Sequence, residues 1–275
     1  MTDSKYDLLK MKGLPPFGAQ EMDFKSDYSL IRLRRQEDIL FMFFVRDTGE
    51  EVIETVLDLN NPHILLAPYT QYMFLSYLFF PNPKNVLFMG LGGGAMIRFL
   101  QHYDPSVHID VVEVDPIVVR LANDYFGVRN EDKVNVMLHD GFQYLKNTES
   151  KYDVIYLDAF LKPSKETDSN GTPLQFYTQN FYKMIREKLK SNGLVAFNLN
   201  PDTNTEEIIE VIHESFLQSY VYKTGDTIHT GNLVIIALSS KNKEPLSALT
   251  TRAIDLENRF EMNFRDMMKS EICKK

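Results

Sequence analysis

The chain has 275 residues, enough for one large domain or a domain with an appendage, and its hydrophobic (44%) and charged (25%) fractions are those of a globular protein with a sizeable core. A formal net charge of -8 excludes a general nucleic-acid binder, because no basic stripe could neutralise a phosphate backbone, and it suits attraction of a cationic small molecule. The single cysteine, Cys273, excludes an intrachain disulfide and points to a reducing compartment.

The first residues are polar and lead into no long apolar stretch, and the greasiest segment, 69–80, is too short to span a bilayer. A soluble, cytoplasmic protein without a membrane partner is expected. Residues 1 to about 25 read as an arm, because Gly13-Leu-Pro-Pro-Phe-Gly18 forbids regular structure. Strand-prone runs follow at 28–34, 38–45 and 51–57, with a turn at Asp47-Thr-Gly-Glu50, predicting a small antiparallel sheet of about three strands. Residues 68–78 read as a helix with Pro68 in its first turn, stopped by Pro81 and Pro83.

An alternation of strands and helices begins at residue 85. Val86-Leu-Phe-Met89 is a continuous apolar run, the pattern of a buried parallel strand. It enters the glycine cluster Gly90-Leu-Gly-Gly-Gly94, in which Gly90, Gly92 and Ala95 follow G-x-G-x-x-A. Gly90 permits the tight turn, Gly92 lets a ligand approach the backbone, and Ala95 lets helix and strand pack closely. A helix over 94–103 leads to a second strand, 108–114, which ends in acids. Glu113 lies about 20 residues past the turn, where a nucleotide-binding unit places a carboxylate on ribose hydroxyls. A helix over 116–125, a third strand ending at Asp140-Gly141, a short helix over 142–146 and a fourth strand over 152–158 follow, the fourth again ending in an acid. A helix over 176–189, closed by Ser191-Asn-Gly193, precedes a fifth strand over 194–199. A helix over 204–218 and an antiparallel closing pair, 220–224 and 232–239 joined through 226–231, complete seven strands. One or two helices fill the tail, about 246–270.

The fold class expected is therefore α/β, a Rossmann-like seven-stranded sheet with a small N-terminal antiparallel β region. The division is 1–66 for the arm and small sheet and 67–275 for the nucleoside-binding domain. Ligands sit beyond the carboxyl ends of the strands in an open α/β sheet, and four successive strands here end in Gly90, Glu113, Asp140 and Asp158. Each acid alone could be a helix cap; together with the glycines they predict a nucleoside site. Glu113 would accept from the ribose hydroxyls and Asp140 from an adenine amino group. Asp158 is left at the centre, and the polar loop 162–173 after it has the composition of a mobile lid. A carboxylate below a lid can take a proton from an ammonium, and the freed amine could attack a carbon beside a sulfonium. The six histidines, His139 and His229 among them, are scattered without metal-ligand spacing, so no metal is expected.

These residues resemble the spermidine synthase (aminopropyltransferase) family, a branch of the class I methyltransferase-like fold. The resemblance covers about residues 65–200 and rests on Pro81-Asn-Pro-Lys-Asn-Val-Leu87, Gly90-Leu-Gly-Gly-Gly94, Val112-Glu-Val-Asp-Pro116, Asp140-Gly-Phe142 and Tyr152-Asp-Val-Ile-Tyr-Leu-Asp158. It implies a donor of the decarboxylated S-adenosylmethionine or S-adenosylmethionine type, a small-molecule amine acceptor, no metal, and a homodimer or homotetramer. By that likeness Glu113 binds ribose, Asp140 and Gly141 bind adenine, and Asp158 is the base that deprotonates the attacking amine. Gly90, Gly92 and Gly93 hold the donor, Gln71 matches a glutamine near it, and Tyr69 or Tyr72 supplies the family's catalytic tyrosine. Two departures stand out. The family's loop aspartate, which holds the donor's ammonium, is Gly93 here, and the aspartate that grips the polyamine is Leu161. Aminopropyl transfer is the reading taken. An S-adenosylmethionine-dependent methyltransferase acting on an amine, which Gly93 favours, is the first alternative, and a non-catalytic nucleoside-binding module is the second. A NAD-dependent dehydrogenase fits the acid-terminated third and fourth strands less well.

Overall fold

The computed structural model describes residues 20–201, 205–225, 231–241 and 244–275. The Gly13–Gly18 part of the expected arm, His229 and most of the connection expected at 226–231 lie outside the described residues.

A small antiparallel sheet opens the described chain, with β1 (Gln20–Lys25), β2 (Leu30–Gln36), β3 (Ile39–Val45) and β4 (Glu51–Asp58) in sequential order. It has four strands where the sequence suggests about three. Gln20-Glu-Met-Asp-Phe-Lys25 reads as arm because it is short and mostly polar, but it pairs along β2 from Gln20↔Arg35 to Lys25↔Leu30 and turns Met22 and Phe24 onto the core. Arg32 and Arg34 on β2 reach Asp23 and Glu21 on the neighbouring β1 and, across β3, Glu51 on β4, which helps to set the register of the strands.

The helix expected over 68–78 is two pieces, α1 (Pro68–Met73) and α2 (Ser76–Phe79). The chain then builds β5 (Asn85–Met89), α3 (Ala95–Tyr103), β6 (His108–Glu113), α4 (Pro116–Phe126), β7 (Val134–Leu138), α5 (Gly141–Asn147) and β8 (Tyr152–Leu157). After a 3-10 turn at Leu174–Tyr177 come α6 (Gln179–Lys188), β9 (Leu189–Leu199), α7 (Thr205–Ser215), β10 (Gln218–Lys223), β11 (Leu233–Leu238), α8 (Leu246–Phe260), α9 (Phe264–Met268) and β12 (Glu271–Lys274).

The large sheet has the order β12-β10-β11-β9-β8-β5-β6-β7. β5 to β9 are mutually parallel, and β11 runs antiparallel to both β9 and β10. This is the expected seven-strand plan with an eighth strand, β12, added antiparallel to β10. Chain order reverses between β5 and β8, so the crevice of the sheet opens above those two strands.

The apolar runs of the central strands are buried on both faces. Val86 and Phe88 join a core shared with α1 to α4, α8, α9 and the small sheet, whereas Leu87 and Met89 face a second core under α5 to α7. Packing from both sides fixes the height of the strand ends and hence the positions of the groups that follow them.

Candidate active site

The turn after β5 is shaped by contact as well as by conformation. Gly90 adopts φ +97, and a Cβ there would stand 2.0 Å from the backbone oxygen of Asp158. Only glycine lets the two strand ends lie this close. Gly92 (φ +51) and Gly94 (φ +69, the N-cap of α3) continue the turn.

Glu113, at the end of β6, accepts hydrogen bonds from the backbone of Val114 and Asp115 (both 2.8 Å) and of Leu91 (3.0 Å). These bonds aim its carboxylate across the glycine turn. Burial pushes its carboxyl up to about 6, against the pull of the three amides. Asp115 is turned away as the N-cap of α4, accepting from Ile117, Ser26 and Ser29, and so ties the small sheet to the strand end. Asp140 caps α5 through Gln143 N at 2.8 Å and is exposed at the rim. It is thus both the helix cap that the sequence allows and a lining residue of the cleft.

Asp158 follows β8 directly. Its Oδ1 accepts from Asn198 Nδ2 at 2.8 Å and its Oδ2 from the Tyr69 hydroxyl at 3.1 Å. Burial raises its carboxyl above the usual carboxylate range, and the two donors offset part of that rise. Burial and the charges of Asp158 and Glu54 raise the Tyr69 phenol well above its ordinary value, so Tyr69 is neutral and donates. Asn198 is fixed in turn by Asn232, which also reaches Asn200, both at 2.7 Å.

These groups line two adjoining chambers. One, about 250 Å³, is bounded by Gly90, Gly92, Glu113, Asp140, Gly141 and Phe142. The other, about 270 Å³, is bounded by Tyr69, Asn198, Asn200, Asn232, Arg46 and Asn170. Asp158, Glu54, Phe44 and Leu161 border both. The first has the polar ring and apolar walls of a nucleoside pocket, and the second leads outward from Asp158. The loop expected as a lid runs along both chambers. Lys162 ties it to Asp47 on the β3–β4 turn at 2.6 Å, and the Leu161 amide bonds Gly171 O.

Of the residues singled out in the sequence, Asp158, Tyr69, Gly90, Gly92, Glu113, Asp140 and Gly141 converge on this cleft. Gln71 does not line it; its side-chain amide bonds Leu65 O at 2.8 Å. Gly93 backs onto the small sheet, its N–H donating to Thr55 Oγ1 at 2.8 Å, with no room for a Cβ beside Thr55 and Phe126. Tyr72 points elsewhere, to Ser270 at 3.0 Å. Sequence reasoning missed Glu54, Asn198 and Asn232. Asn198 carried a signal, since it is a lone amide in the apolar run Leu194–Leu199 and is buried. Glu54 carried none, because its aim depends on an irregularity in strand pairing. Burial and the charges of Asp158 and Glu113 push the Glu54 carboxyl up to about 8.

Among the described residues, no group of three His, Cys, Asp or Glu is arranged to hold a metal ion, and no helix is long and apolar enough to cross a membrane.

The family model "Spermine/spermidine synthase domain" matches residues 69–245. A polyamine aminopropyltransferase of Vibrio vulnificus is 28% identical over 248 residues, covering 85% of this chain and 80% of its own. Among solved structures, a probable spermidine synthase of Corynebacterium glutamicum superposes with a TM-score of 0.69 at 19% identity, covering 86% of this chain and 88% of its own. Human methyltransferase-like protein 13 in complex with SAH superposes at 0.64 with 22% identity, covering 71% and 93%.

Proposed function

The chain belongs to the spermine/spermidine synthase family, a family of transferases, and from that premise we propose that it moves an aminopropyl group from decarboxylated S-adenosylmethionine to a small-molecule amine. The observation that carries this reading is the placement of Asp158 where the two chambers meet, held by Tyr69 and Asn198.

In this reading the adenosine lies in the chamber of Gly90, Gly92, Asp140 and Gly141, and its ribose hydroxyls donate to Glu113. The acceptor amine enters the second chamber as an ammonium and gives its proton to Asp158. The nitrogen lone pair attacks the aminopropyl carbon bonded to sulfur. The new C–N bond forms as the C–S bond breaks, and the sulfonium takes the bonding pair and leaves as a neutral thioether. Asp158 is suited to this step: its raised carboxyl brings its basicity closer to neutral pH, and Tyr69 holds the oxygen that receives the proton. Charge falls at sulfur and grows at the attacking nitrogen, so acids at the border of the chambers favour the reaction throughout.

The test is incubation of the purified chain with the decarboxylated donor and a panel of primary diamines, followed by mass spectrometry. Acceptor enlarged by one aminopropyl group, with matching thioether release, is expected. A second reading, methyl transfer from intact S-adenosylmethionine, is favoured by one observation: the glycine turn carries no acid of its own, and Leu161 borders the acceptor side. Methylated acceptor and no aminopropyl product would select it.

A further inference from the structure

We propose that Glu54 is the residue that binds the donor's ammonium and thereby selects a donor without a carboxylate, an inference that rests on the nucleoside-sulfonium reading of the cleft. Four observations place it. First, Glu54 sits at a β-bulge: β3 and β4 pair Met42 with Thr55 and Phe43 with Ile53, so Glu54 has no partner across the ladder. A bulge re-aims the side chain it carries. Here Thr55 and Leu57 are buried, yet Ile53, which unbroken alternation would also turn inward, is 56% exposed.

Second, the re-aimed carboxylate reaches the glycine turn. A Cβ on Gly92 would lie 2.7 Å from Glu54 Oε1, so the bare backbone of the turn is what admits the acid. The turn thus gains an acid supplied by the small sheet, which ionises when a cation joins it. Third, Glu54 borders the nucleoside chamber, the outer chamber and the narrow space beneath the turn. Fourth, among the described residues its carboxylate makes no hydrogen bond or ion pair. The groups facing it are Asp158 after β8, Glu113 at the end of β6 and Tyr69 on α1. The nearby cations of the outer chamber, Arg46 and Lys162, are engaged by Glu50 (3.1 Å) and Asp47 (2.6 Å).

A partly buried acid beside two further acids is costly unless a cation joins it. A donor that carries both a sulfonium and a primary ammonium brings two positive charges into this cluster. A carboxylate on the carbon that bears the ammonium would meet Glu54 as a like charge, which disfavours intact S-adenosylmethionine.

The experiment is calorimetric titration of the full chain and of its E54Q variant with four nucleosides: the decarboxylated donor, intact S-adenosylmethionine, 5′-methylthioadenosine, which lacks both the sulfonium and the ammonium, and the S-methyl sulfonium of that thioether, which lacks the ammonium alone. E54Q is expected to weaken the decarboxylated donor about tenfold or more, to shrink the preference over the intact donor, and to leave the thioether and its S-methyl sulfonium within about twofold. An unchanged affinity of E54Q for the decarboxylated donor would overturn the role of Glu54 alone. Equal loss of the thioether would do the same by showing a structural effect, and equal loss of its S-methyl sulfonium by showing a role at the sulfur. Wild-type preference for the intact donor would overturn the aminopropyl reading as well. The wild type offers a second, variant-free test at neutral pH in buffers of different ionisation heat. The decarboxylated donor should release a proton that the S-methyl sulfonium does not, since Glu54 must ionise to pair with the ammonium; equal proton counts for the two would contradict the proposal.

Discussion

At the scale of single residues, the cleft stores destabilisation in its acids. Glu54 and Glu113 both have carboxyls raised by burial, to about 8 and about 6. A raised acid binds its proton more tightly in the folded chain than in the unfolded one. The sign for Glu54 follows: no penalty below about pH 4.5, a penalty that grows as pH rises toward 8, and the full penalty above. Replacing Glu54 by Gln is therefore expected to raise the melting temperature of the ligand-free chain at pH 8.5 by at least about 2 °C, and to have little effect at pH 4.5. Thermal scans at the two pH values check this, and a variant that melts lower at pH 8.5 would contradict it. Tyr69 acts in the opposite sense on Asp158, because its hydrogen bond favours the ionised carboxylate. Tyr69→Phe should shift the acid limb of the kcat/KM profile to higher pH as well as lower the rate. A lower rate with an unmoved limb would mean that the hydroxyl serves something other than Asp158.

At the scale of elements, function depends on how closely neighbouring segments approach. Gly90 and the Asp158 carbonyl are in direct contact, so Gly90→Ala meets backbone on one side and a disfavoured φ on the other. A loss of about 2 kcal/mol or more in chemical denaturation, with loss of donor binding, is expected; near-normal stability would contradict the close packing of β5 and β8. The Lys162–Asp47 pair belongs to an exposed surface and is worth little to stability. Lys162→Ala should leave the melting temperature unchanged and raise KM for the acceptor, as the loop loses its tether to the β3–β4 turn. Both elements of the Gly90 contact were legible in the sequence, because buried strands write continuous apolar runs and glycine clusters mark turns. β12 was not: all four residues of Glu271–Lys274 are exposed, so no periodicity betrays a strand that exists only through pairing with β10. Likewise 68–78 shows one helical period although the backbone breaks between Met73 and Ser76, where packing decides. The fifth strand begins five residues early, because Ser191-Asn-Gly193, which reads as a helix end, is carried inside β9.

At the scale of the whole molecule, two layers meet at the cleft. The large sheet supplies Glu113, Asp140 and Asp158 from successive strand ends, an arrangement the sequence displays because parallel topology places those ends together. The small sheet supplies Glu54 and Phe44 from β4 and β3, which no local pattern announces, since their meeting with the glycine turn is a contact between segments distant in sequence. A net charge of -8 spread over the chain adds a weak general attraction for cations to the local one of the three acids. The central claim is that this joint cleft transfers an aminopropyl group with Asp158 as base. The measurement that tests it most directly is thioether release from the decarboxylated donor in the presence of a diamine, comparing wild type with Asp158→Asn. The account predicts turnover by the wild type and a fall in kcat of about 10²–10⁴ in the variant, with donor binding retained. A variant that turns over at the wild-type rate, or a wild type that releases thioether only from a methyl donor, would contradict it.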